Sequence, residues 1–201
     1  MDKSLELYQQ VYEMGGEFAG MAAYKIAELY EKEGKDEDAF KWYKESADKG
    51  YDQAMIRMGL YCIDGKIFLK NERNAMAWFR KAYEQKAEVV GFAAQQIGSI
   101  YYFSGYYKEA FDWYQKGALL GDGEAMCALG DCYLMGEGGE KDLEKAQKCY
   151  QMAYEKQGAG AERAAEALRR IYRVKGGTEE MEQFLNDLEL ENEIGHVDNR
   201  E

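Results

Sequence analysis

Between Phe92 and Gly121 the chain reads FAAQQIGSIYYFSGYYKEAFDWYQKGALLG, and its apolar residues recur three and four positions apart on either side of Ser104-Gly105. Residues at that spacing share one helix face, so the stretch predicts two amphipathic helices joined by a tight turn. The first carries a large–small pair, Ile97-Gly98, with Tyr101 one turn on. The second carries Ala110, then Trp113-Tyr114 three and four places later.

The same order returns along the chain. Second-helix anchors stand at Ser4 (Leu7, Tyr8), Ala39 (Trp42, Tyr43), Ala75 (Trp78, Phe79), Ala110, Ala146 (Cys149, Tyr150) and Met181 (Phe184, Leu185), spaced by 35 or 36 residues. First-helix pairs stand at Ile26-Ala27, Met58-Gly59, Ile97-Gly98, Leu129-Gly130 and Leu168-Arg169, with spacings alternating between 32 and 39. Two unequal units therefore make a block of 71 residues. Ile26, Ile97 and Leu168 keep that step, as do Tyr30, Tyr101 and Tyr172, and duplication of a two-unit block explains it. The even units have the longer turn, at Gly65–Asn71 and Gly136–Asp142.

The pattern predicts eleven helices, at about 3–15, 20–32, 36–49, 52–63, 72–85, 88–103, 107–119, 123–135, 142–156, 160–174 and 178–191. The small residues Ala27, Gly59, Gly98 and Gly130 let two helix backbones approach closely, and the expected cover is the Tyr one turn further along the same helix. No unit can bury its stripe alone, so neighbours must stack to make a core. The fold class expected is all-α, a right-handed α-solenoid of antiparallel helix pairs. Residues 1–191 form one array with a lone first helix, five pairs over 20–191 and the last pair as a cap. Residues 192–201 read as a polar tail.

These residues resemble the Sel-one-like repeat (SLR) family, a branch of the tetratricopeptide-repeat superfamily. The family's Ala, Leu-Gly, Tyr order stands as Ala125, Leu129-Gly130, Tyr133, its glycine-rich turn as GEGGEKD at 136–142, and its second helix as EKAQKCYQMA at 144–153. Two departures are the missing closing proline of tetratricopeptide repeats and Arg169 in place of Gly or Ala. The resemblance implies a protein-interaction module whose first helices line a concave side.

On that alignment Tyr24, Gln53, Ile56, Leu60, Ile63, Phe92, Gln95, Ser99, Tyr102, Phe103, Asp131, Leu134 and Met135 face inward. The helix at 52–63 is apolar on two sides, because Ala54, Met58 and Cys62 fill the stacking stripe while Ile56, Leu60 and Ile63 form a second one. Such a helix is buried on both sides or faces a partner. The functional expectation is a groove floored by the apolar members, with Gln53, Gln95, Ser99 and Asp131 setting register. The competing reading is tighter curvature, with these side chains packed on one another. Arg163, Arg170 and Arg173 end the same surface and could clamp a carboxylate; pairing with Glu179, Glu180 and Glu182 of the last helix is the plainer account. Tyr106-Tyr107 is a contact point or simply packs at its helix start.

Composition narrows the partners. Net charge is −12, of which −8 falls in residues 178–201, so no basic stripe exists for nucleic acid or anionic lipid. No apolar run is long enough to span a membrane and the start lacks a signal-peptide core, which predicts a cytoplasmic protein. Cys62, Cys127, Cys132 and Cys149 fall on helix faces; reduced, buried thiols are expected, with a Cys132–Cys149 bridge as the alternative. A single histidine, His196, leaves no nucleophile–His pair and too few ligands for zinc, so no enzyme activity, cofactor or metal is expected. The expected function is a non-enzymatic scaffold or adaptor binding a peptide or protein domain, with a basic partner allowed. The alternatives are an immunity-type inhibitor neutralising a toxin enzyme through its acidic surface, and self-association through the groove.

Overall fold

A computed structural model describes residues 3–65, 67, 69–85, 89–175 and 183. Ten helices follow one another: α1 (Lys3–Met14), α2 (Ala19–Lys32), α3 (Asp36–Asp48), α4 (Asp52–Asp64), α5 (Glu72–Glu84), α6 (Val90–Phe103), α7 (Tyr107–Leu119), α8 (Gly123–Met135), α9 (Leu143–Glu155) and α10 (Ala161–Lys175). They follow the expected bounds to within two residues. The eleventh helix and the polar tail lie outside the described residues. Among the described residues there is no strand.

Turn chemistry sets where each helix stops. In the short turns the chain folds back on itself, with Lys35 N–H donating to Tyr30 O and Tyr106 N–H to Tyr101 O, both at 2.9 Å. The long turns leave α4 and α8 through left-handed Gly65 (φ 72°) and Gly136 (φ 79°), a conformation open to glycine at little steric cost. They close when Asn71 N–H reaches Cys62 O at 2.8 Å and Asp142 N–H reaches Tyr133 O at 2.9 Å. Asn71 and Asp142 then cap the next helix by accepting from the N–H of Asn74 and Lys145, satisfying donors the helix cannot.

Within each pair the close approach works differently from the sequence expectation. The ring over each small residue comes from the facing helix, not from the Tyr one turn along. A Cβ added to Gly98 would stand 2.7 Å from the Tyr114 ring, and one added to Gly130 would stand 2.8 Å from the Tyr150 ring; Gly59 holds Phe79 in the same way. Tyr43, Phe79 and Tyr150 are fully buried, and Tyr114 is nearly so. A residue on the same helix cannot reach the gap between two helix axes, whereas the second bulky residue of the facing stripe points straight into it.

Every helix packs on its predecessor and its successor, the nearest-neighbour order of a solenoid. Two first-type pairs also meet across an intervening helix, α6 with α8 and α8 with α10; no two second-type helices among α3, α5, α7 and α9 come as close. Helices on the inside of a bend are the ones brought together, so α6, α8 and α10 lie on the inner side of the curve.

Candidate functional site

One repeated position on the inner side carries a different residue in each unit. Two residues past the large member of each pair stand Glu28, Leu60, Ser99 and Asp131. The buried rings from the facing helices end at this level. Tyr150 donates from its hydroxyl to Asp131 Oδ1 at 2.5 Å, and Tyr114 reaches Ser99 Oγ at 3.3 Å. In the second unit the ring is Phe79, which needs no acceptor, and Leu60 stands where the others carry a polar group. Tyr43 uses Glu31 in place of Glu28, at 2.9 Å.

Two carboxylates tie neighbouring units together. Glu31 of α2 also takes the guanidinium of Arg57 and the hydroxyl of Tyr61, both on α4, and Arg57 lies over the Tyr43 ring, 5.1 Å from its centroid. Asp131 of α8 takes Arg163 of α10, which bonds Glu124 as well, at 2.9 Å. Burial, with the adjoining Glu31 and Asp131 carboxylates, drives the Tyr43 and Tyr150 hydroxyls far above the ordinary phenol range. Burial chiefly pushes Tyr61 up to about 12.

The expected groove residues divide by depth. Tyr24 and Ile56 are buried, at 9% and 7% exposure, and support the inner face from beneath. Leu60, Ile63, Phe92, Tyr102 and Leu134 are half-buried and rest on the core. Phe103 (85%) and Met135 (66%) stand in solvent, as does Val174 (84%) at the end of α10. These three occupy the same place on consecutive first-type helices, six residues past Ile97, Leu129 and Leu168. They form an exposed apolar rim along the inner side.

Gln95, Ser99 and Asp131 are already engaged within the chain. Gln95 donates to Ser99 at 3.2 Å and accepts from Gln96 at 2.9 Å. Asp131 holds Tyr150 and Arg163, and Gln53 is half-buried at the start of α4. Arg163 finds its carboxylates on α8, and Arg170 pairs with Glu166 one turn back at 3.1 Å. Arg173 is exposed. Glu179, Glu180 and Glu182 lie outside the described residues.

Two cavities open on this face. One, of about 350 Å³, lies among Glu31, Asp36, Arg57, Leu60, Tyr61 and Ile63. The other, of about 380 Å³, is lined by apolar side chains, including Leu134, Met135, Ile171 and Val174, and by the charged Asp131, Arg163, Glu166 and Arg170.

The four thiols are free, so no Cys132–Cys149 bridge is present. Cys127 and Cys132 are buried, Cys62 and Cys149 half-buried. Burial pushes Cys127 and Cys132 up to about 12 and Cys149 to about 11. Among the described residues no group of His, Cys, Asp and Glu is arranged to hold a metal, and no helix is long and apolar enough to cross a membrane.

With this geometry in view, the likeness to known proteins is specific. The Sel1 repeat pattern matches residues 20–51, 52–86, 93–122 and 123–157, together more than half of the chain. An uncharacterized Sel1-like repeat-containing protein of Schizosaccharomyces pombe is 32% identical over 123 residues, which are 61% of this chain and 16% of that protein. The crystal structure of a Sel1 repeat protein from Oxalobacter formigenes superposes with a TM-score of 0.76 at 27% identity, covering 92% of this chain and 75% of that one. A protective antigen of uropathogenic Escherichia coli strains with an SLR fold superposes at 0.70 and 24% identity, over 87% of this chain and 37% of that one. The second structure bears on the fold alone.

Proposed function

Since the chain belongs to the Sel1 repeat family, whose fold serves generally as a protein–protein interaction scaffold, we propose that it is a non-enzymatic adaptor gripping a peptide or protein segment on its inner side. The observation that carries this reading is the exposed rim of Phe103, Met135 and Val174 on successive first-type helices. Aromatic and Met side chains left in solvent beside half-buried Leu134 and Tyr102 give a partner apolar area to cover, and pre-set helices lower the cost of ordering.

The polar residues contribute less to recognition than to shape. Ser99 and Asp131 hold the buried Tyr hydroxyls, so their replacement changes the inner wall before it changes any contact. The test is selection of a random displayed-peptide library on the full chain. Recovered peptides should lose at least about tenfold in affinity on Met135→Ser, the order expected for an apolar anchor, with thermal unfolding unchanged. Peptides indifferent to that substitution overturn the reading.

A further inference from the structure

The turn between α6 and α7 carries an aromatic cluster that the groove alone does not explain. Tyr102 meets Phe103 edge-on at 5.6 Å and Tyr107 at 5.3 Å, while Tyr106 meets Tyr101 at 6.3 Å. Phe103, Tyr106 and Tyr107 are exposed. The long turn after α8 folds onto the same place, with Gly138 against the Tyr107 backbone and Phe111. That contact brings the Glu137 carboxylate beside the Tyr102 hydroxyl and pushes the phenol up to about 12. Glu137 Oε2 is buried without a hydrogen-bond partner.

Elsewhere the same chain shows what such surroundings attract. Lys116 lies 4.1 Å from the Trp113 ring centroid, Lys81 4.5 Å from Trp78, Lys49 5.0 Å from Tyr12 and Lys145 5.5 Å from Tyr133. Among the described residues none lies over the rings of Tyr102, Phe103, Tyr106 or Tyr107. Ring faces are negative and attract a cation, more strongly where water is displaced. Neither α6 nor α8 has a basic residue in its own last turn, so the helices themselves supply no cation to offset the negative ends of their dipoles here.

We propose that Tyr102, Phe103, Tyr107 and Glu137 form a docking site for a Lys or Arg side chain of the bound protein segment, whose apolar neighbour rests on Met135. The inference builds on the adaptor reading and adds the charge of the partner. Three features converge: ring faces that carry no cation among the described residues, an orphaned carboxylate oxygen and an adjoining apolar rim.

Peptides selected from a random library on the full chain supply the test. They should be enriched in Lys or Arg next to an aliphatic or aromatic residue. Replacing that Arg by citrulline, which keeps the shape and removes the charge, should weaken binding roughly tenfold. The citrulline penalty should fall below about twofold on Glu137→Gln with Phe103→Ser, both checked by circular dichroism for an unchanged fold. Peptides that depend on Met135 yet show neither enrichment nor penalty overturn this inference and leave the adaptor reading standing. An empty selection, or peptides indifferent to Met135→Ser, overturns both.

Discussion

Gly98→Ala adds one methyl group where the α6 and α7 backbones come closest. The new Cβ would stand 2.7 Å from both Cδ1 and Cε1 of Tyr114, about 1 Å inside a comfortable carbon–carbon separation. Tyr114 cannot slide away, because it is only 4% exposed and its hydroxyl is held by Ser99. Overpacking of this sort costs about 1–3 kcal/mol, while Ala in place of Gly inside a helix recovers up to about 1 kcal/mol. The expected net loss is about 1–2 kcal/mol, or roughly 2–8 °C in melting temperature for a chain of this length. Thermal and urea unfolding followed by circular dichroism measure it. A second arm makes the reasoning sharper: in a Tyr114→Ala background the ring is gone, so Gly98→Ala should stabilise. A stabilising Gly98→Ala in the wild type, or the same loss in both backgrounds, refutes the argument, since the effect would not depend on the ring.

Further outcomes follow from the inner wall and the thiols. Tyr150→Phe removes the hydroxyl bonded to Asp131 at 2.5 Å and should cost about 1–2 kcal/mol in urea unfolding. Phe79→Tyr places a hydroxyl at the repeat position faced by Leu60 and should cost about 1–3 kcal/mol, for want of an acceptor there. Arg163→Ala releases α10 from Glu124 and Asp131; amides of residues 161–175 should exchange faster in hydrogen-exchange mass spectrometry, with those of α4 unchanged. Cys127 and Cys132, raised to about 12 by burial, should resist a thiol reagent at pH 8 until urea is added. Their folded pKa lies above the unfolded value near 8.5, so the stability they contribute is complete below that pH and declines toward pH 12. Urea unfolding between pH 8 and 10 reads the slope, and stability that rises over this window contradicts the assignment.

How far the sequence could be read depended on what one dimension encodes. The spacing of Ala110, Trp113 and Tyr114 and the pair Ile97-Gly98 are properties of a helix face, so element order, block length and capping turns follow from them directly. Depth is not a property of a face. Ile56 and Phe103 both occupy inward positions, yet one is buried and the other 85% exposed, because Ile56 stands mid-helix against the core while Phe103 is the last residue of α6. Partnership between helices was also hidden. Phe79, Tyr114 and Tyr150 fill the gaps over glycines of the facing helix, and Arg163 reaches two carboxylates 32 and 39 residues away. The correlated pair of Phe79 with Leu60, against Tyr150 with Asp131, was readable in the duplicated block, since a phenol needs an acceptor and a phenyl ring does not. Glu137 gave no sequence signal, because only the folded long turn carries it to Tyr102.

The inner surface of the first-type helices is the claim on which the functional account stands. Backbone amide shifts of the full chain, recorded by nuclear magnetic resonance with and without a selected peptide, map the contact directly. The account predicts that the largest changes cluster at the C-terminal ends of α6 and α8, around Tyr102, Phe103, Leu134 and Met135. Changes confined to the outer helices α3, α5, α7 and α9 would contradict it.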